Sequence, residues 1–260
     1  MKRILVPISF SSLSEDALFQ AKLIADHYHA SITLLHCYSP LEYNRRFDFS
    51  NDIYKNEVEK MLLKFYRDHI TEPSQTVVKC IAHEGSISNI IHNISSQYDL
   101  IVLKRNAEPR AHSVVPLSQK ILSIISKSSC PVFISPLNGT PLQINAIKSV
   151  WHIKRKEVES RLVAISMRRL GLKEDILKVK SLEQKVFLSP LWKRIMSSKK
   201  PIDSSSLATT NQLLEQEQID LIYIVYYNPK LFDAFLEANA IKTISDLDIP
   251  LMIINQALNQ

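Results

Sequence analysis

The chain has 260 residues, 45% of them hydrophobic and 22% charged, with a formal net charge of +6. That length suggests one large or two ordinary domains, and the composition excludes a disordered or fibrous chain. Three cysteines, Cys37, Cys80 and Cys130, stand singly in or beside apolar runs without CxxC spacing, which reads as buried reduced thiols rather than a metal or redox site.

In chain order, Ile4 to Ile8 reads as a buried strand. Ser12 and Glu15 then fit a capping box, and Ala17, Leu18, Ala21, Ile24, Ala25 and Tyr28 form one helical stripe. Ser31 to Cys37 is a second strand, and a polar connection with Pro40, Arg45 and Arg46 follows it. A helix is expected from about Asp52 to His69, with Tyr54, Val58, Met61, Leu62, Phe65, Tyr66 and His69 inward. Thr76 to Ala82 is a third strand, Gly85-Ser86 opens a helix with Ile87, Ile90, Ile91 and Ile94 on one face, and Leu100 to Leu103 is a fourth strand. A helix over Pro116 to Ser129 and a strand over Val132 to Ile134 complete the set. Strands alternating with helices predict an α/β fold, a parallel sheet with helices on both faces.

Leu137 to Leu142, with Gly139 between Pro136 and Pro141, reads as a linker. It divides the chain into domains 1–137 and 143–260. The second resembles a diverged copy of the first. Asp99-Leu100-Ile101 is echoed by Asp220-Leu221-Ile222, and Cys130-Pro131-Val132 by Ile249-Pro250-Leu251. The Asp-to-Pro interval is 32 residues in one and 30 in the other. Ile147 to Ile153 and Ile176 to Val179 read as strands of the copy, Glu157 to Leu170 as a helix stopped by Gly171, and Ser189-Pro190 as the start of a helix carrying Leu191, Trp192, Ile195 and Met196.

The segments Ile4-Leu-Val-Pro-Ile-Ser-Phe-Ser11, Ser31-Ile-Thr-Leu-Leu-His-Cys37, Asp99-Leu-Ile-Val-Leu103 and Cys130-Pro-Val-Phe-Ile134 resemble strands of the universal stress protein family. The resemblance covers the first domain fully, and the second in element order and final strands. It implies two tandem doubly wound five-stranded domains of strand order 3-2-1-4-5, the second degenerate, packed as an intramolecular pseudo-dimer. Many members bind ATP through G-x-x-G, nine residues, G-[S/T] after the fourth strand. Here those positions carry Lys104, Ala107, Leu117 and Ser118, so only the hydroxyl remains. The family's aspartate after the first strand is Ser9, and the adenine-facing position is Cys37. In the second domain the glycine positions fall near Val225, Asn228 and Ala238.

Glycines in a phosphate loop let backbone N–H groups reach the oxygens and permit positive φ. The chain has three, Gly85, Gly139 and Gly171, and none falls in a candidate phosphate loop. Side chains at Lys104 and Leu117 are expected to fill the space. A helix N-terminus near Ser118, with Lys104, Arg105 and Arg110, leaves a modified anion pocket as the alternative.

Other constellations carry less. His83-Glu84 sits at a strand end without a G-x-S-x-G elbow, and His27 and His29 face different ways on a helix. Residues 148–200 hold 15 Lys/Arg against 5 Asp/Glu, and residues 201–260 hold 2 against 8. The basic pairs lack interleaved aromatics, so a solvated face partly neutralised by the acidic segment is expected rather than a nucleic-acid site. The Tyr223 to Tyr227 run and Trp192 read as core, with a partner-facing role as the alternative. The N-terminal apolar run is too short for a signal peptide, and no run approaches the ~18 apolar residues of a membrane helix. The expectation is a cytoplasmic, non-enzymatic protein without a cofactor, acting in stress response through an unidentified protein partner. Nucleotide binding is expected to be lost, further homodimerisation stays open, and a small-ligand or nucleotide sensor with a modified pocket is the alternative.

Overall fold

A computed structural model describes residues 1–39, 51–71, 75–105, 108–110, 113–115, 117–136, 141–154, 157–181, 219–226 and 249–256. Strands β1 (Arg3–Pro7), β2 (Ser31–Tyr38), β3 (Val78–Glu84), β4 (Leu100–Lys104) and β7 (Val132–Ser135) lie in parallel in the order β3-β2-β1-β4-β7. This is the expected 3-2-1-4-5. Strands β8 (Val150–Lys154), β9 (Leu177–Ser181), β10 (Leu221–Tyr226) and β11 (Leu251–Asn255) continue the same nine-stranded sheet as β11-β10-β8-β9. Strands β4, β10 and β11 are buried along their whole length, as strands covered on both faces must be.

Alternation sorts their side chains into two cores. Ile4, Val6, Leu100, Val102, Phe133, Tyr223 and Met252 face one side, with helices α1 (Ser12–Tyr28), α2 (Asn51–His69) and α5 (Glu157–Arg169) above them. Leu5, Ile101, Leu103, Val132, Ile134, Ile222 and Ile253 face the other, beneath α3 (Ile87–Ile94) and α4 (Gln119–Lys127). Tyr223 and Tyr226 are buried, so their place is the core. Tyr227, Trp192 and the helix expected from Ser189 lie outside the described residues.

The halves meet edge to edge. β7 pairs antiparallel with β11 in the register Ile134↔Leu251, Phe133↔Met252, Val132↔Ile253, which is symmetric about the central pair. Buried polar groups reinforce the joint. Arg105 Nη2 donates to the Ile249 carbonyl at 3.0 Å. Asn255 Nδ2 lies within 3.1–3.2 Å of the carbonyls of Ile125, Ser126 and Ser128 at the end of α4. Gln20, fully buried on α1, exchanges two amide hydrogen bonds with Leu142, at 2.8 and 2.7 Å. The Tyr28 hydroxyl on α1 donates to the Leu170 carbonyl behind α5.

The two Asp-Leu-Ile echoes perform one structural task. Asp99 Oδ2 accepts the N–H groups of Lys2 and Arg3 at 2.7 and 3.0 Å, pinning the start of β1 to β4. Asp220 Oδ2 accepts those of Lys148 and Ser149 at 2.7 and 2.9 Å, pinning β8 to β10. Burial opposes charge on Asp99, but these N–H bonds and nearby cations outweigh it and hold its pKa below the usual carboxylate range.

Some local expectations need correction. The N-cap of α1 is Ser11, not Ser12, and Glu15 does not close a capping box; it lies 3.2 Å from His69 Nε2. Phe10, in the left-handed region at φ 54, turns the chain one residue earlier. Met61 is 52% exposed and not part of the inward stripe that Val58, Leu62 and Phe65 form. β3 runs to Glu84, two residues beyond the expected end. A hairpin, β5 (Glu108–Arg110) with β6 (Ser113–Val115), stands where a loop was expected. Gly171 behaves as predicted. It sits at φ 58, with N–H bonds from Gly171 to Arg168 O and from Leu172 to Met167 O closing α5.

Candidate functional site

The strand order reverses between β1 and β4, and an open α/β sheet places its ligand crevice outside the carboxyl ends of such strands. A cavity of about 230 Å³ opens there. Its volume falls below the roughly 300 Å³ at which drug-sized pockets begin. Ser9, Cys37, Lys104 and Ser118 line it together, four residues drawn from three strand ends and a helix start. Leu13 and Ala17 of α1 and Ile121 and Ile124 of α4 supply an apolar wall.

Several of these polar groups already have partners within the chain. The Ser9 hydroxyl is 3.0 Å from those of Ser11 and Ser14, and the Ser9 N–H donates to Ser14 Oγ at 2.9 Å. Ser118, buried at the N-cap of α4, accepts the Ile121 N–H at 3.3 Å. The Lys104 side chain is 6% exposed, and its Nζ lies 3.1 Å from Asp16 Oδ2. Burial pushes the Cys37 thiol up to about 12, against the opposite pull of the Lys120 charge.

Leu117 is a correction. It does not line the cavity but lies 1% exposed in the core with Ile121 and Ile124, so it does not fill phosphate space. Residue 117 lies just ahead of the amphipathic α4, and its side chain joins that helix's buried face. Ala107 lies outside the described residues, as do Asn228 and Ala238. Val225, at the matching position of the second half, is fully buried on β10.

In the segment after β4, Glu108 to Arg110 pair antiparallel with Ser113 to Val115, between the motif positions at 104 and 107 and those at 117 and 118.

Reading the sequence missed Asp16, Ser14, His36 and Lys120. The last three line the cavity, and Asp16, which does not, pairs with the lining residue Lys104. His36 Nδ1 is 2.8 Å from the Ile8 carbonyl, which can only accept, so Nδ1 carries the proton. Its ring stacks 4.9 Å from Phe10, and Phe10 meets Phe65 edge-on at 5.7 Å. A signal for Asp16 did exist, since it follows Leu13 by three residues and so shares its side of the helix.

In the second half, His152 Nε2 and Glu159 Oε2 stand 3.6 Å apart, both fully buried. Among the described residues no cluster of three or more His, Cys, Asp or Glu side chains could hold a metal ion. Nor is any described helix long and apolar enough to cross a membrane.

A sequence model described as the universal stress protein family matches residues 1–136. A universal stress protein from Archaeoglobus fulgidus has a similar structure, with TM-score 0.61 at 13% identity over 99% of this chain and 97% of that one. A functionally unknown protein from Pseudomonas aeruginosa PAO1 aligns over 99% of this chain and 93% of its own, at TM-score 0.51 and 11% identity. A putative universal stress protein from another strain of that species, UCBPP-PA14, gives 0.50 at 11%, over 99% and 94%. At such identities the likeness concerns the fold, and it spans both halves. No curated protein matches the chain.

Proposed function

The chain belongs to the universal stress protein family, and from that premise we propose that it is a tandem, non-enzymatic member whose family-type nucleotide site has been given up. It acts in the stress response, in the cytoplasm, through contacts with a protein partner. Tandem organisation is supported by the symmetric β7–β11 register and by the paired roles of Asp99 and Asp220. The two halves then form a pseudo-dimer within one chain.

The observation that carries the loss of the nucleotide site is Lys104. It stands at the first glycine position of the family motif, lines the cavity, and is paired with Asp16. The cavity's small volume supports the same reading. A thermal-shift titration with ATP, ADP and AMP tests it. The expected midpoint is unmoved at millimolar nucleotide; a saturable rise refutes the proposal, because a ligand bound only by the folded state must stabilise it.

One set of observations favours a second reading. Ser9, Cys37, Ser118 and the Lys120 ammonium share the cavity with its apolar wall, an arrangement suited to a small anionic ligand. Sensing of such a ligand is the alternative function.

A further inference from the structure

We infer that one cavity lysine, Lys104, is neutralised from within the chain. The Asp16 carboxylate neutralises the lysine that a ligand's phosphate would have to engage, and so keeps the site closed to small phosphates. The inference rests on the reading that the family-type nucleotide site is not in use, and it supplies a physical agent for that.

Lys104 is the starting point. Its side chain is 6% exposed, and a buried ammonium needs a counter-charge. Asp16 provides one at 3.1 Å, from a carboxylate that is itself 57% exposed. The pair is therefore lopsided: the lysine lines the cavity, and the aspartate, which does not, reaches it from a more exposed position. An incoming phosphate would have to displace Asp16 from Nζ and then remain beside its negative charge.

The remaining features suit an anion once the Asp16 side chain is replaced by an uncharged one. Lys120 lines the same cavity, on the first turn of α4. Ser118 spends its oxygen on the Ile121 N–H, and its hydroxyl proton remains available to a ligand.

The pair belongs to one half alone. Counting equal intervals from Ile4 and Val150 along the first strand and helix of each half, Asp16 corresponds to Leu162. Counting likewise from Leu100 and Leu221, Lys104 corresponds to Val225. Both counterparts are apolar, so the fold does not require an ion pair at this place. A Lys–Asp pair with its lysine in the cavity lining is then an addition to the fold, and the cavity is where it acts.

The test compares the full-length wild type with Asp16→Asn, Asp16→Ser and the double variant Asp16→Asn/Lys104→Met. Inorganic pyrophosphate is titrated by calorimetry at low salt, with circular dichroism to confirm folding. Removing the competing charge is expected to tighten pyrophosphate binding about tenfold in both single variants. Adding Lys104→Met should return it to the wild-type level, and raising the salt should weaken the gain. Folded single variants that bind no more tightly than the wild type overturn the inference. So does a gain that persists without Lys104. Tight binding of ATP by the wild type would instead overturn the proposed loss of the nucleotide site, while the difference between wild type and Asp16→Asn is read separately.

Discussion

Asn255 offers a sharp test of how the two halves are held together. It is 3% exposed, on the last strand of the second half, yet its amide reaches three carbonyls at the end of α4 in the first. An amide nitrogen carries two protons, so it supplies two hydrogen bonds shared among three acceptors. Truncation to alanine removes both, at about 1 kcal/mol each, and leaves a small void worth roughly 1 kcal/mol more. The expected loss is about 2–3 kcal/mol, or a fall in Tm of roughly 5–10 °C for a chain of this size. Aspartate has nearly the same shape but offers only acceptors, so a buried carboxylate would face three carbonyl oxygens. Asn255→Asp should therefore cost more than Asn255→Ala. Urea unfolding followed by circular dichroism and by tryptophan fluorescence gives both values, and the two probes should report one transition if the nine strands melt together. The reasoning is refuted if aspartate is tolerated as well as alanine, or if alanine costs less than 0.5 kcal/mol.

Other expectations are separable. Asp99→Asn and Asp220→Asn should each cost about 1 kcal/mol by chemical denaturation, since each carboxylate holds two N–H groups at a partly exposed edge. Because the folded-state pKa of Asp99 is depressed, its contribution is full above the unfolded carboxylate pKa and is lost as pH falls through the folded value. Stability against pH should thus drop on the acid side in the wild type, and less steeply in Asp99→Asn. With its pKa near 12, native Cys37 should react with iodoacetamide at pH 8 at least roughly 100-fold more slowly than a free thiol, and mass spectrometry of the alkylated peptide reads the rate. Gly171→Ala should lower stability by about 1 kcal/mol because φ there is 58, whereas His29→Gly should raise it by a similar amount because φ there is 51. Added Cβ atoms meet nothing at Gly171, so the effect is one of backbone conformation alone.

The strands were readable because burial on both faces forces near-continuous apolar runs, as in Leu100 to Leu103 and Leu221 to Val225. The Asp-Leu-Ile echo was readable because one electrostatic task, pinning a neighbouring strand start, uses the same residue twice. The hairpin was not. Its six paired residues include Pro109 and two charges, which carry no strand signature, and the absence of glycine suggested only a blocked loop. Leu117 was placed in the cavity by motif alignment, which fixes a position along the chain but not the direction of a side chain. The core claimed it instead. Asp16 escaped notice because a single acidic residue on the exposed side of a helix has an ordinary solvated use. Its meaning depends on Lys104, 88 residues away, arriving beneath it.

The measurement closest to the central claim is equilibrium binding of ATP to the full-length wild type, by calorimetry or dialysis with and without magnesium. The account predicts no saturable binding at millimolar ATP, with Lys104 still paired to Asp16. One ATP bound per chain with micromolar Kd, and weakened by substitution of Lys104 or Ser118, would contradict it.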